Sequence, residues 1–226
     1  MASAWLLAIR PRTLPASISP IVLGSALAFH HGTWNPWILG LALACALLLQ
    51  IAVNLANDLF DGRAGIDTAQ RLGPLRVTQS GLIDHRTLTI ALGVVCLLAI
   101  ASGLALAALS DWLLVGFGIA ALCALLAYSG GPWPLASHGL GELTVLLFFG
   151  WLAVAGTHYA HTLTVNGTVI AYATIAGLIS AAIMLVNNLR DIPTDGPAGK
   201  RTLAVRLGDA ASRRLYQILL LGAVLL

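Results

Sequence analysis

Long apolar runs broken by two polar intervals set the frame of this chain. Apolar windows of roughly 17 to 22 residues occupy about 14–30, 36–54, 88–109, 112–129, 141–160 and 168–187, each long enough to cross a hydrocarbon core of ~30 Å. A seventh begins near Tyr216 and runs to Leu226. None shows the alternating ~10-residue pattern of a spanning strand, so the backbone in lipid must satisfy its own hydrogen bonds within helices. The pattern predicts an all-α, multi-spanning transmembrane helix bundle of about six full spans plus the start of a seventh, forming one integral membrane domain over residues 1–226.

The polar intervals, 55–87 and 188–214, hold seven of the nine acidic residues and ten of the twelve Lys and Arg residues. The opposite connections, near 30–36, 109–111 and 160–167, are short and carry only Asp111 as a formal charge. Basic residues concentrate in cytoplasmic loops of membrane proteins. With the N-terminus inside, all twelve fall on that side, which predicts a multi-pass protein of the plasma (inner) membrane whose N-terminus and polar loops face the cytoplasm. Composition agrees: 58% of residues are hydrophobic and 9% charged, outside the range of soluble domains. The net charge of +3 follows from the loop bias and calls for no nucleic-acid partner. Cys45, Cys96 and Cys123 each stand alone within an apolar span, without disulfide or metal spacing, and read as packing residues. Arg10 and Arg12 precede a proline-bearing span that lacks a signal-peptide cleavage pattern.

Candidate chemistry therefore belongs to the inner face. At ~3.6 residues per turn, Asn54, Asp58 and Asp61 share one face of a helix continuing out of the second span, with Asn57 beside them. Asn187 and Asp191 lie one turn apart at the end of the sixth span, next to Asn188. An offset of 133 residues aligns Asn54 and Asp58 with Asn187 and Asp191, a short internal match of the kind expected of duplicated membrane architectures. Pro193 should kink or end its helix, so that Asp195 reaches the site from a loop.

Carboxylates at helix C-termini oppose the helix dipole, and each charge placed deep in a bilayer costs about 2.5–3.5 kcal/mol. Taken singly these aspartates fit solvated loop charges paired with arginine; repeated at two helix ends they argue for compensating cations. Clustered carboxylates with neutral oxygens nearby suit Mg²⁺, a hard ion bound through a few protein carboxylates and substrate phosphates. Arg63, Arg71, Arg76, Lys200 and Arg201, with Arg10 or Arg12 nearby, are the donors a diphosphate needs. Acids, Mg²⁺ and basic groups at a membrane surface together predict a lipid diphosphate as ligand, with the metal offsetting charge on the leaving group.

At this point the chain resembles a known family. "NLANDLFDGRAGID" is similar to the first aspartate motif of the UbiA superfamily of intramembrane prenyltransferases, and "NNLRDIPTDGPAGKRTLAVRLG" to the second. The stretches "RPRTLPAS", "RLGPLRVTQSGLI" and "YSGGPWPLASHGLGE" resemble the branch that prenylates 1,4-dihydroxy-2-naphthoate in menaquinone biosynthesis. The resemblance implies nine transmembrane helices, of which roughly the last two and a half would lie beyond Leu226. It implies that Asp58, Asp61, Asp191 and Asp195 hold Mg²⁺ and are catalytic together with Lys200. Asn54, Asn57, Arg76, Asn187, Asn188 and Arg201 would bind the polyprenyl diphosphate, with Arg12 preferred to Arg10 as a further contact. Tyr128, in "YSGG", would face the allylic cation or serve as an interfacial tyrosine. Gln70 departs from the pattern, where an acidic residue is expected before "RLGP". The implied reaction is an electrophilic aromatic substitution with loss of the ring carboxylate, giving demethylmenaquinone; the partners are polyprenyl diphosphate, the naphthoate and membrane lipid.

Other polar residues read as bland. His30, His31, His158 and His161 fall at the outer helix ends as surface histidines, His138 in an inner loop, and Glu142 in the first turn of the fifth span, where the helix dipole favours a carboxylate and a substrate-facing role stays open. Two alternatives stay open: a prenyltransferase of this type with another aromatic acceptor, and a membrane transporter, which also combines intramembrane acids with internal symmetry. A CDP-alcohol phosphotransferase is disfavoured, since its D-G-x-x-A-R signature is absent.

Overall fold

The structure, a computed structural model, describes residues 2–65, 72, 73 and 75–226; Asp67, Gln70 and Arg71 lie outside the described residues. A short helix α1 (Ala2–Ile9) turns at Arg10, a non-glycine residue at φ 54°, into a 3-10 turn over Pro11–Thr13. Next come α2 (Leu14–His30), α3 (Pro36–Arg63), α4 (His85–Leu109), α5 (Leu113–Ser129), α6 (Gly141–Thr162), α7 (Gly167–Asp195) and α8 (Leu203–Leu225). The apolar windows mark these helices, and side-chain caps set several of their starts. Asn35 accepts from Trp37 N before α3, Asp84 from Thr87 N before α4, Asn166 from Val169 N before α7 and Thr202 from Val205 N before α8.

Five helical stretches, Ser3–His30, Pro36–Arg63, His85–Leu109, Gly141–Thr162 and Gly167–Asp195, are long and apolar enough to cross a membrane. The chain is a multi-pass membrane protein. With 17 residues, α5 spans roughly 26 Å, a little less than a ~30 Å hydrocarbon core. Two elements depart from the sequence expectation. Pro193 does not end α7: the helix continues through it, giving up the one bond that the proline nitrogen cannot donate, and Asp195 is still helical. The helix that carries the seventh apolar stretch begins well before Tyr216: α8 starts at Leu203, breaks at Gly208 (φ 77°, ψ 172°) and resumes.

α3 packs along α4 and α5, and α6 lies between α2 and α7. One apolar core joins Leu55 and Leu59 of α3 to Leu88 and Leu92 of α4, Leu125 of α5 and Ala4 and Ala8 of α1. A second centres on Val154, Val169 and Ala173. The middle of α6, Leu146–Ala155, is wound as a wider π-helix. It passes close to α7 because Gly150 has no side chain: a Cβ there would stand 2.5 Å from Ala173 O and 2.7 Å from Gly177 Cα.

The two ends of the bundle differ. At the outer end His158 and His161 are buried rather than surface-exposed, because they link helices. His31 Nδ1 and His158 Nε2 lie 2.9 Å apart, His161 Nε2 is 3.1 Å from Ser25 Oγ, and Asn35 N donates to His161 Nδ1 at 3.2 Å. The inner end carries the polar motifs.

Candidate active site

The last turns of α3 supply Asn54, Asn57, Asp58 and Asp61, and each has a different partner. Asn54, 2% exposed, donates from Nδ2 to Ile9 O at 2.8 Å and to Thr13 Oγ1 at 2.9 Å, pinning the α1 corner to α3. Asn57 Oδ1 accepts from Ser129 Oγ at 2.7 Å, tying α3 to the end of α5. Asp58 is committed to the loop that precedes α4: Val77 N and Thr78 N donate to its two carboxylate oxygens at 3.0 Å each, and Thr78 Oγ1 to Oδ1 at 2.6 Å. Gly62 makes this approach feasible, since a Cβ there would come within 2.6 Å of Thr78 Oγ1.

Asp61, one turn on, is where two distant segments meet. Lys200 Nζ donates to Asp61 Oδ2 at 2.9 Å and Arg76 Nη2 to the same oxygen at 3.4 Å. Asp61 and Arg76 are buried, and Lys200 is half-buried. Lys200 is set by the turn after α7, where its backbone N–H donates to Asp195 O at 2.9 Å. Within α7, Asp191 and Asp195 are both buried, one helical turn apart. Arg190 grips Asp191 bidentately, Nε to Oδ1 at 2.7 Å and Nη2 to Oδ2 at 2.8 Å, and its guanidinium also feels the charge of Asp195.

The remaining expected residues divide. Asn188, not Asn187, turns inward: its Nδ2 donates to Glu142 Oε1 at 2.8 Å, whereas Asn187 is exposed. The match between Asn54 and Asn187 therefore holds in sequence and not in surroundings. Tyr128 is half-buried on α5, with its hydroxyl 3.6 Å from Met184 Sδ. Arg12 and Arg201 are exposed, while Arg10 is half-buried at the left-handed corner. Arg63 turns to α4, where Nη2 donates to Thr89 Oγ1 at 3.2 Å. Among the described residues, no three His, Cys, Asp or Glu side chains converge on one point. The aspartates instead form two pairs, most of whose oxygens are met by the protein's own N–H groups and cations.

The described residues of this end thus form an aspartate pair on α3, met at Asp61 by Lys200 and Arg76, and an aspartate pair on α7, held at Asp191 by Arg190, with Asn188, three residues before Asp191, bonded to Glu142 of α6. For Glu142 the sequence favoured a helix-dipole residue and left a substrate-facing role open, because nothing local in "GLGE" marks Asn188 as its partner.

Comparison with known proteins follows this geometry. The profile of the UbiA prenyltransferase family matches residues 17–226. The 1,4-dihydroxy-2-naphthoate octaprenyltransferase of Escherichia coli (strain K12) is 43% identical over 227 residues, covering 98% of this chain and 74% of that one. The enzyme of the same name from Mycobacterium tuberculosis (strain ATCC 25618 / H37Rv) is 44% identical over 218 residues, covering 96% and 74%. A solved UbiA homolog from Archaeoglobus fulgidus, bound to GPP and Mg²⁺, has the same fold, with a TM-score of 0.71 at 18% identity over 98% of this chain and 75% of that one.

Proposed function

This chain belongs to the UbiA prenyltransferase family, and on that premise we propose that it transfers a polyprenyl group from polyprenyl diphosphate to 1,4-dihydroxy-2-naphthoate. The ring carboxylate is lost and the hydroquinone demethylmenaquinol is formed, which becomes demethylmenaquinone on later oxidation. Family membership sets the transporter reading aside. The acceptor rests on the naphthoate prenyltransferases that this chain resembles at 43% and 44% identity. The observation that carries the site is the Asp61–Lys200 ion pair, which closes the first aspartate motif on the second across 139 residues of sequence.

The donor set suits Mg²⁺ in kind, because Asp58, Asp61, Asp191 and Asp195 are buried carboxylates offering oxygen alone. These four would hold the metal, which when bound supplies electrostatic neutralisation of the departing diphosphate. Lys200 and Arg76, poised on Asp61, supply N–H donors to diphosphate oxygens, joined by Arg201 and by Arg12 at the membrane surface. Asn54 and Asn57 fix the end of α3 against α1 and α5, and Asn187 and Asn188 flank the second motif on α7. The Tyr128 ring offers its face to the allylic cation. Apolar helix faces hold the isoprenoid tail and keep water from quenching that cation. The excess of Lys and Arg in the long loops supports a site facing the cytoplasm from the plasma membrane.

The test is prenyl transfer in membranes given radiolabelled polyprenyl diphosphate, Mg²⁺ and either the naphthoate or 4-hydroxybenzoate. Product should depend on the naphthoate, and Asp61→Asn and Asp191→Ala should each lower it by about 10²-fold or more. Equal product from hydroxybenzoate would refute the acceptor, and undiminished product from both variants would refute the site.

A further inference from the structure

Glu142 is a buried carboxylate for which diphosphate chemistry has no use. It is 5% exposed at the start of α6, on the inner side of the bundle. Oε1 accepts from Asn188 Nδ2 at 2.8 Å, while Oε2 is buried and has no hydrogen-bond partner among the described residues. Buried polar oxygens are nearly always met by a donor, so an orphaned one beside a substrate site marks where a ligand's donor belongs. A second group with spare capacity lies next to it. The Tyr128 hydroxyl has only a weak sulfur acceptor, Met184 Sδ at 3.6 Å, and sits where a Cβ on Gly141, the residue before Glu142, would come within 3.2 Å of it. Both groups adjoin the aspartate motifs: Asn188, which holds Glu142, precedes Asp191 by three residues on α7, and Ser129, next to Tyr128, donates to Asn57 beside Asp58.

We propose that Glu142 is a catalytic residue that accepts the hydroxyl proton of the aromatic acceptor at Oε2, an assignment that rests on the prenyl-transfer reading above. Asn188 holds Oε1, so Oε2 is presented in a fixed direction, and Tyr128 gives the acceptor a second polar contact. The ring carbon that bears the carboxylate attacks the allylic carbon. A carbon–carbon bond forms, and the allylic carbon–oxygen bond breaks with its electron pair leaving on diphosphate. The adjacent O–H proton passes to Glu142 and that ring C–O becomes a carbonyl. The carboxylate now lies β to a carbonyl. Its bond to the ring breaks, CO₂ departs, and the electron pair restores the aromatic ring through the oxygen, which takes the proton back from Glu142. No oxidant or reductant is required, and Glu142 ends the cycle ionised, as it began.

The experiment compares purified wild type with Glu142→Gln and Glu142→Asp. Measurements are turnover, KM for each substrate, equilibrium binding of the naphthoate and of prenyl diphosphate, and thermal unfolding. Glu142→Gln should lower kcat by about 10²-fold or more, and Glu142→Asp should restore part of it. Naphthoate binding should weaken about tenfold in the Gln variant, with prenyl diphosphate binding and the unfolding midpoint unchanged. Methylating the acceptor hydroxyl next to the reacting carbon should bring wild type down to the rate of the Gln variant. Unchanged turnover and naphthoate affinity in Glu142→Gln, or a loss shared equally by prenyl diphosphate binding, overturns the proposal. Absence of naphthoate-dependent product from wild type itself overturns the underlying function instead.

Discussion

Asp58 and Asp61 stand three residues apart on one helix and serve different ends. Asp58 gives both oxygens to the Val77–Thr78 turn, which fixes where Arg76 lies, while Asp61 faces Arg76 and Lys200 directly. The turn depends on the bare backbone at Gly62. Gly62→Ala would put a Cβ 2.6 Å from Thr78 Oγ1, the atom that bonds Asp58 O and Oδ1, and forcing such contacts costs about 1–3 kcal/mol. The expected result is a lower unfolding midpoint in detergent together with a raised KM for prenyl diphosphate, since Arg76 moves with the turn; a variant that matches wild type in both would remove Gly62 from this role. Helical spacing made the shared face of Asp58 and Asp61 legible in the sequence. Their partners were not, because Val77, Thr78 and Lys200 arrive from 19 to 139 residues away and no local pattern ranks such contacts. Nor does the sequence reveal the left-handed turn at Arg10, which leaves Arg10 half-buried and Arg12 exposed.

Among the elements, the apolar windows predicted more than breakers did. The apolar windows coincide with α2 to α7 because spanning a bilayer fixes length and composition together, and Asn35, Asp84 and Asn166 sit where their side chains close the first turns. Pro193 misled, since α7 runs on through it to Asp195, and Gly208, which went unremarked in the sequence, breaks α8 between its charged start and the apolar stretch from Tyr216. The π segment of α6 had no sequence signal, since it reflects how closely α6 packs against α7 at Gly150. The Asp84 cap makes a pH-dependent prediction. The Thr87 hydroxyl and then its N–H hold the Asp84 carboxyl below its ordinary value of 3.8. A carboxyl depressed in the folded state adds stability that is complete above the unfolded value and fades as pH falls through the folded one. Thermal unfolding of wild type and Asp84→Ala should therefore differ by a constant amount at neutral pH and converge below about pH 4, as the cap is protonated. A gap that persists undiminished into that acid range would mean the cap acts through something other than its charge.

Across the whole molecule, the two ends of the bundle are built to different rules. Outer contacts are neutral: His31 with His158, His161 with Ser25 and Asn35, and Ser110 with Ala160 O, all between helix ends joined by short loops. Inner contacts are charged, and the long loops there carry Lys and Arg in excess of acids, ten against seven. Membrane insertion retains Lys and Arg on the cytoplasmic side, and short neutral loops cross readily, so the charge asymmetry predicts that the end carrying the proposed site faces the cytoplasm. In a protein whose Cys45, Cys96 and Cys123 are replaced by alanine, single cysteines at exposed positions of each end report this directly. Thr164→Cys, between α6 and α7, should react with a membrane-impermeant maleimide on intact cells, and Ala210→Cys, just past the Gly208 break in α8, should react only after permeabilisation. The reverse labelling pattern would put the diphosphate site on the outer face, and the charge asymmetry would then need a cause other than insertion.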